Sequence, residues 1–207
     1  MILHGYWRSG TSYRTRIALN LKGLAYEQLG VDLRAGEQKS AAFLALNPQG
    51  LVPALEVEDV VLTQSPAILE WLEETYPDPP LLPANATDSA IVRAMAATVA
   101  CDIHPLNNLR VLKAVRALGA DADAWAAQWI EPGFAALEAM IRRHGGGFVF
   151  GATPTLADCH LVPQVYSAER FGVDLAPYPR LFAAAEHARA HPAFAAAHPD
   201  RQPDADA

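Results

Sequence analysis

Cysteine is scarce in this chain of 207 residues, with only Cys101 and Cys159. Two thiols cannot make the disulfide framework of a small secreted protein. Both lie in stretches that read as buried helix, where cysteine behaves as a small apolar residue in a reducing compartment. Basic residues are also few: 16 Lys and Arg against 23 Asp and Glu leave a net charge of −7. That balance repels a phosphate backbone, so nucleic acid is not an expected partner. No stretch approaches about 18 uninterrupted apolar residues, and Met1 to Arg8 lacks a basic region followed by an apolar one. Neither a membrane span nor a secretory leader is expected, and the cytoplasm is the expected compartment. The histidines are read as lacking a metal-ligand spacing, so no metal is expected.

What is present is an ordinary globular composition, 51% hydrophobic and 19% charged, at a length suited to two packed domains. Residues 2 to 7 read as a strand, and Ser9-Gly10-Thr11-Ser12 supplies turn and N-cap types. A helix follows, with Tyr13, Ile17 and Leu21 at four-residue spacing and Lys22-Gly23 as its ending. A second strand is expected at 26 to 32 and a short helix at 41 to 46. Residues 52–57 and 60–62 read as a hairpin, with Pro53 requiring an edge, a bulge or a cis bond. Ser65-Pro66 reads as the N-cap and first residue of the next helix. The order is βαβαββα over residues 1–82. Pro77 to Pro83 is proline-dense, and beyond it alanine-rich patterns predict helices at 88–118, 121–143, 155–171 and 178–189, giving an all-helical domain over 88–207. Thr155 and Asp158 have capping-box spacing.

Between the first strand and helix, hydroxyls and unpaired backbone N–H groups gather where the helix dipole is positive, a place that favours an anion or simply caps the helix. Cys-x-x-Cys is missing there, which excludes dithiol redox chemistry at that position. Arg8, Arg14, Arg16, Arg110 and Arg170 interrupt apolar runs and are candidates to hold a small anion, although Arg8, Arg110 and Arg170 taken singly read more readily as surface or salt-bridge residues.

Ser9-Gly10-Thr11-Ser12-Tyr13-Arg14-Thr15-Arg16-Ile17-Ala18-Leu19 resembles the signature of the zeta class of glutathione transferases, Ser-Ser-Cys-Ser-x-Arg-x-Arg-Ile-Ala-Leu. Asn47 to Leu55, Gln64 to Ile68, Asp102 to Asn108 and Thr155 to Gln164 resemble the same class, so the likeness spans nearly the whole chain. Gly10 and Thr11 stand where the class has serine and cysteine, which leaves Ser9 as the matching hydroxyl. The fold this implies is α/β plus all-α: a thioredoxin-like glutathione-binding domain followed by an all-helical glutathione-transferase domain that binds substrate.

The resemblance implies glutathione as cofactor. Ser9 would donate to its sulfur, with Thr11 beside it. Val52, before a cis-Pro53, would pair with the cysteinyl unit, Gln64 and Ser65 with the γ-glutamyl end, and Gln38 and Gln49 with the glycyl end. His104 and Asn108 join this set, as does Asp102 of the partner subunit in an expected homodimer. Arg8, Arg110 and Arg170 would clamp a small dicarboxylate, since guanidinium forks meet carboxylates at two points. His104 would polarise a carbonyl or serve only structure.

The implied reaction is cis–trans isomerisation of maleylpyruvate or maleylacetoacetate in aromatic catabolism. A conjugating transferase or peroxidase would share the glutathione site but want a roomier, less basic pocket. A non-catalytic module on the same fold would be expected to lack Ser9 or Gln64-Ser65.

Overall fold

The computed structural model describes residues 1–205 and divides the chain into two compact units, Met1–Pro80 with 191–205, and Leu81–Ala190. The first unit is built on a four-stranded sheet of β1 (Ile2–Gly5), β2 (Glu27–Gly30), β3 (Ala54–Val57) and β4 (Val60–Thr63) in the order β2-β1-β3-β4. β1 runs parallel to β2 and antiparallel to β3, and β3 and β4 form the hairpin. Leu3 pairs with Leu55, and both are fully buried at the sheet's centre. Around the sheet are α1 (Gly10–Leu21), α2 (Ala41–Leu46) and α3 (Ser65–Thr75). The first two strands are shorter than the 2–7 and 26–32 expected. β1 ends because the chain turns, with the Ser9 N–H closing on the Tyr6 carbonyl at 3.0 Å. Gly5 permits that close return, since a Cβ there would lie 3.0 Å from Ser12 Oγ.

The second unit holds α4 (Ala86–Ala97), α5 (Leu109–Ala117), α6 (Ala122–His144), α7 (Leu156–Arg170) and α8 (Pro179–Arg189). The single helix expected over 88–118 is broken. After α4 the chain widens into a π-helical segment, Thr98–Ile103, and tightens into a 3-10 turn, His104–Asn107, before Asn108 caps α5. Pro105 has no N–H to donate back along the helix, and its ring clashes with the preceding turn. Gly133 of α6 accommodates this segment, because a Cβ there would lie 2.3 Å from Ile103 Cδ1. Cys159 is buried as expected, but Cys101 on the π-helical segment is exposed.

α7 opens with the anticipated capping box. The Asp158 carboxylate accepts from Thr155 N, Thr155 Oγ1 and Val149 N, each at 2.8 Å. Complete burial pushes its pKa up to about 6 against the pull of those donors.

The largest departure is at the other end of the sequence. Residues 191–205, assigned by sequence to the helical domain, fold with the first unit. α9 (Pro192–Ala197) packs on α1, where Asn20 Nδ2 donates to Ala193 O at 3.0 Å and Arg16 Nε to Ala197 O at 3.1 Å. Of the polar residues of α1, Ser12, Arg14, Thr15 and Arg16 are buried, and Arg16 holds this late segment together with the half-buried Asn20.

Candidate active site

In the first unit, the residues singled out by sequence meet at three structural joints. The first is the start of α1. Ser9 is the N-cap, in extended backbone, and its Oγ accepts from Ser12 N at 3.3 Å. Ser12 is itself fully buried and serves the turn by accepting from Tyr6 N. Ser9 and Thr11 remain half-exposed, with their hydroxyls 2.9 Å apart. Thr11 donates to the Val52 carbonyl at 2.9 Å. Because each hydroxyl has one proton and a carbonyl can only accept, Ser9 is the donor towards Thr11. The anion and capping readings of this segment are therefore compatible: Ser9 accepts from the helix through its lone pair and keeps a movable proton.

The second joint is the loop before β3. The Val52–Pro53 peptide is cis, as the resemblance implied. Asn47, almost fully buried, shapes this loop by donating to Leu51 O at 2.7 Å and accepting from Gln49 N at 3.1 Å. Gly50 has φ +60°, and a Cβ there would meet Gln38 O at 2.7 Å, so only glycine lets the two loops approach. This brings Gln38 and Gln49 to one place. Gln38 Oε1 is buried and has no hydrogen-bond partner among the described residues.

The third joint is the start of α3. Ser65 is the first helical residue, and Gln64, not Ser65, occupies the N-cap with φ 66°. A side chain rarely adopts that backbone, and such strain collects at functional sites. Gln64 gives no side-chain cap to the first-turn N–H groups. Its amide instead reaches Gln49 Oε1 at 2.7 Å. The other long helices among the described residues differ: α1, α4, α5, α6 and α7 are capped by side chains, and Glu138 serves the first turn of α8. Beneath α3, Arg14 Nη1 donates to Ser65 Oγ at 3.3 Å.

Arg14 and Arg16 are buried and act as internal ties between elements, which removes them from the candidates for holding an anion. Arg8 is half-buried, with its guanidinium 5.1 Å from the Trp7 ring centroid. In the second unit, Asp102 and His104 lie on the π-helical and 3-10 segments, and Asn108 spends its side-chain oxygen on Arg110 N as the α5 cap. Arg110 is exposed in the first turn of α5. Arg170 is exposed at the end of α7, near the rings of Tyr166 and Phe171.

His187 and His191 do have the i, i+4 spacing of a metal-binding helix, contrary to the sequence reading. However, α8 ends at Arg189, and His191 caps α9 through its Nδ1. Among the described residues, no group of three His, Cys, Asp or Glu is placed to hold a metal.

Asn47, Arg14 and Asp204, whose carboxylate accepts from Trp7 N at 2.8 Å, are supports whose role sequence reasoning missed. The first two sit inside motifs whose spacing says nothing about burial. The third lies in a short acidic segment with no periodicity to read.

In the first unit the geometry suits an extended anionic ligand: a movable hydroxyl proton at one helix N-terminus, a second N-terminus without a side-chain cap, and an amide-lined loop between them. Residues 8–75 match the family model described as glutathione S-transferase, N-terminal domain. The chain is 55% identical to the maleylpyruvate isomerase of a Ralstonia species over 210 residues, covering 99% of each chain. It superposes with a TM-score of 0.98, at 55% identity and full coverage of both chains, on a holo maleylpyruvate isomerase described as a bacterial zeta-class glutathione S-transferase. A maleylacetoacetate isomerase from Anaeromyxobacter dehalogenans, with dicarboxyethyl glutathione and citrate bound in its active site, gives a TM-score of 0.92 at 48% identity, covering 99% of this chain and 93% of that one. With this fold, these joints and relatives of this closeness along its whole length, the chain belongs to the zeta class of the glutathione S-transferase family.

Proposed function

We propose that the chain is a glutathione-dependent isomerase that converts maleylpyruvate, or maleylacetoacetate, to the fumaryl isomer. The observation that carries this reading is the Ser9–Thr11 hydroxyl pair at the N-terminus of α1, tied to Val52, in a chain 55% identical to a maleylpyruvate isomerase. Glutathione, when bound, supplies a thiolate that adds reversibly to the conjugated double bond and so permits rotation about it.

The protein's part is to hold that thiolate ionised. Ser9 turns its proton from Thr11 to the sulfur, and the positive end of α1 favours the charge. Val52 offers backbone groups to the cysteinyl unit. The uncapped start of α3, with Ser65 and Gln64, receives the γ-glutamyl carboxylate, and Gln38 and Gln49 take the glycyl end. The orphaned Gln38 Oε1 and the strained Gln64 are what such a ligand would be expected to satisfy. Arg8, Arg110 and Arg170 are read as binding the substrate carboxylates, and His104 as facing the carbonyl on which charge builds. Asn108 supports Arg110. The dicarboxyethyl group carried by glutathione in the Anaeromyxobacter relative is of the kind that thiol addition to an ene-dicarboxylate leaves. A cytoplasmic homodimer, with Asp102 of the partner subunit completing each site, belongs to the same reading.

The test is isomerase activity on both maleyl substrates, against conjugation of a neutral chlorinated aromatic, in wild type, Arg110→Ala and Arg170→Ala. Loss of one charge-assisted contact costs about 1.5–3 kcal/mol, so each variant should lose roughly ten- to a hundredfold in kcat/KM on the dicarboxylate and little on the neutral compound. Full isomerase activity in both variants, or brisk conjugation by a wild type that cannot isomerise, overturns the assignment in favour of a conjugating transferase.

A further inference from the structure

The Tyr6–Ser9 turn that delivers Ser9 is held from far along the chain. Trp7 N donates to Asp204 Oδ2 at 2.8 Å, and the Trp7 carbonyl accepts from Arg16 Nη2 at 2.9 Å. The same guanidinium donates through Nε to Ala197 O at the end of α9. Two successive peptides just before Arg8 and Ser9 are thus fixed by groups that belong to, or are themselves tied to, residues 192–205.

Asp204 is not a dangling carboxylate. Its other oxygen accepts from Gln28 Nε2 at 2.8 Å on β2. The segment leading to it is internally bonded, with Gln202 Nε2 donating to His198 O at 2.7 Å and to Ala196 O at 3.0 Å, and Ala205 N to Gln202 O at 3.0 Å. Gly30 gives it room, since a Cβ at that position would stand 3.1 Å from Asp204 Cβ.

We infer that Asp204 is a positioning residue for the sulfur site: by fixing the Trp7 amide it holds the turn that aims the Ser9 hydroxyl. The inference rests on the glutathione reading above. Asp204 touches neither sulfur nor substrate. Its effect should appear as a misaimed donor, which raises the pKa of the bound thiol, and a small displacement at a reacting centre is enough to slow chemistry substantially.

The experiment compares wild type, Asp204→Ala, Asp204→Asn and Gly30→Ala by three measurements: glutathione binding by calorimetry, thiolate absorbance against pH in the bound state, and kcat and KM for isomerisation. Asp204→Ala should bind glutathione within about threefold of wild type, titrate its bound thiol at higher pH and lose roughly tenfold in kcat, with KM little changed. Asp204→Asn should recover most of this. Its amide oxygen can accept from Trp7 N, and its NH2 can donate to Gln28 Oε1, which has no hydrogen-bond partner among the described residues, once that amide turns. Gly30→Ala removes no polar group and should shift the titration in the same direction by crowding Asp204, which keeps the question open to test if Asp204→Ala folds poorly. A thiol titration unchanged in both Asp204→Ala and Gly30→Ala overturns the inference, as does an asparagine variant as impaired as the alanine one. Failure of the wild type itself to bind glutathione would instead strike the underlying functional reading.

Discussion

At the scale of single residues, the two hydroxyls at the start of α1 divide the work in a way that substitutions can separate. The proton of Thr11 is committed to Val52, whereas that of Ser9 has only another hydroxyl to leave. Ser9→Ala should therefore raise the pKa of bound glutathione while leaving affinity nearly intact. Thr11→Val should loosen the Val52 loop and weaken glutathione binding about two- to tenfold, the worth of one neutral hydrogen bond, with the thiol still acidic. Calorimetry and thiolate absorbance read the two effects independently, and the reverse pattern would exchange the roles. Ser9 was singled out by its place in the zeta-class signature, because a hydroxyl between a strand and a helix serves as readily as a cap. Arg14 and Arg16 were misread because arginine between apolar residues ordinarily reaches solvent, and nothing local says that its guanidinium will be enclosed. The N-cap of α3 was misplaced by one residue because serine is the expected cap and glutamine at φ 66° is not.

Among the elements, α7 carries a testable electrostatic burden. Asp158 has a folded-state pKa near 6, above its ordinary value of 3.8, so between those values the native state holds more protons than the unfolded one. The stability owed to this group is complete below about pH 4 and is lost as pH rises through 6. The shift of about two units corresponds to roughly 3 kcal/mol. Asp158→Asn lacks that titration, so its deficit relative to wild type, from urea unfolding at several pH values, should be widest at the acid end, near pH 4, and narrow as pH rises through 6. A deficit that stays flat or widens with pH over that range would show a folded-state pKa no higher than the unfolded one, with the carboxylate held ionised by its three donors. The capping box was legible because it is a local pattern of four residues. The break between α4 and α5 was not, because alanine-rich periodicity continues across His104-Pro105 and hides the change of winding. The π-helical turn depends on packing against Gly133, about 30 residues away.

For the molecule as a whole, the thioredoxin-like and helical halves were legible from the proline-dense stretch after Thr75, but the membership of residues 191–205 was not. α9 has six residues, too few to be stable alone, and its attachment rests on Arg16 and Asn20 of a helix more than 170 positions earlier. Arg16→Met should accelerate amide exchange across 192–197 by roughly ten- to a hundredfold while leaving α6 as protected as before. Hydrogen-exchange mass spectrometry would decide, and equal loss of protection in α6 would mean that the tie stabilises both units rather than this one. A unit assembled from two separated stretches also imposes an order on biosynthesis. When Pro80 leaves the ribosome, every residue of the sheet and its first three helices has been made, but Trp7 still lacks the carboxylate that holds its amide. The 110 residues of Leu81–Ala190 must be made first, which takes roughly 5–20 s at 5–20 residues per second. During that interval the nascent chain carries the turn bearing Ser9 in unfinished form, so competence for catalysis should arrive with translation of residues 191–205 rather than with the stretch that contains the serine.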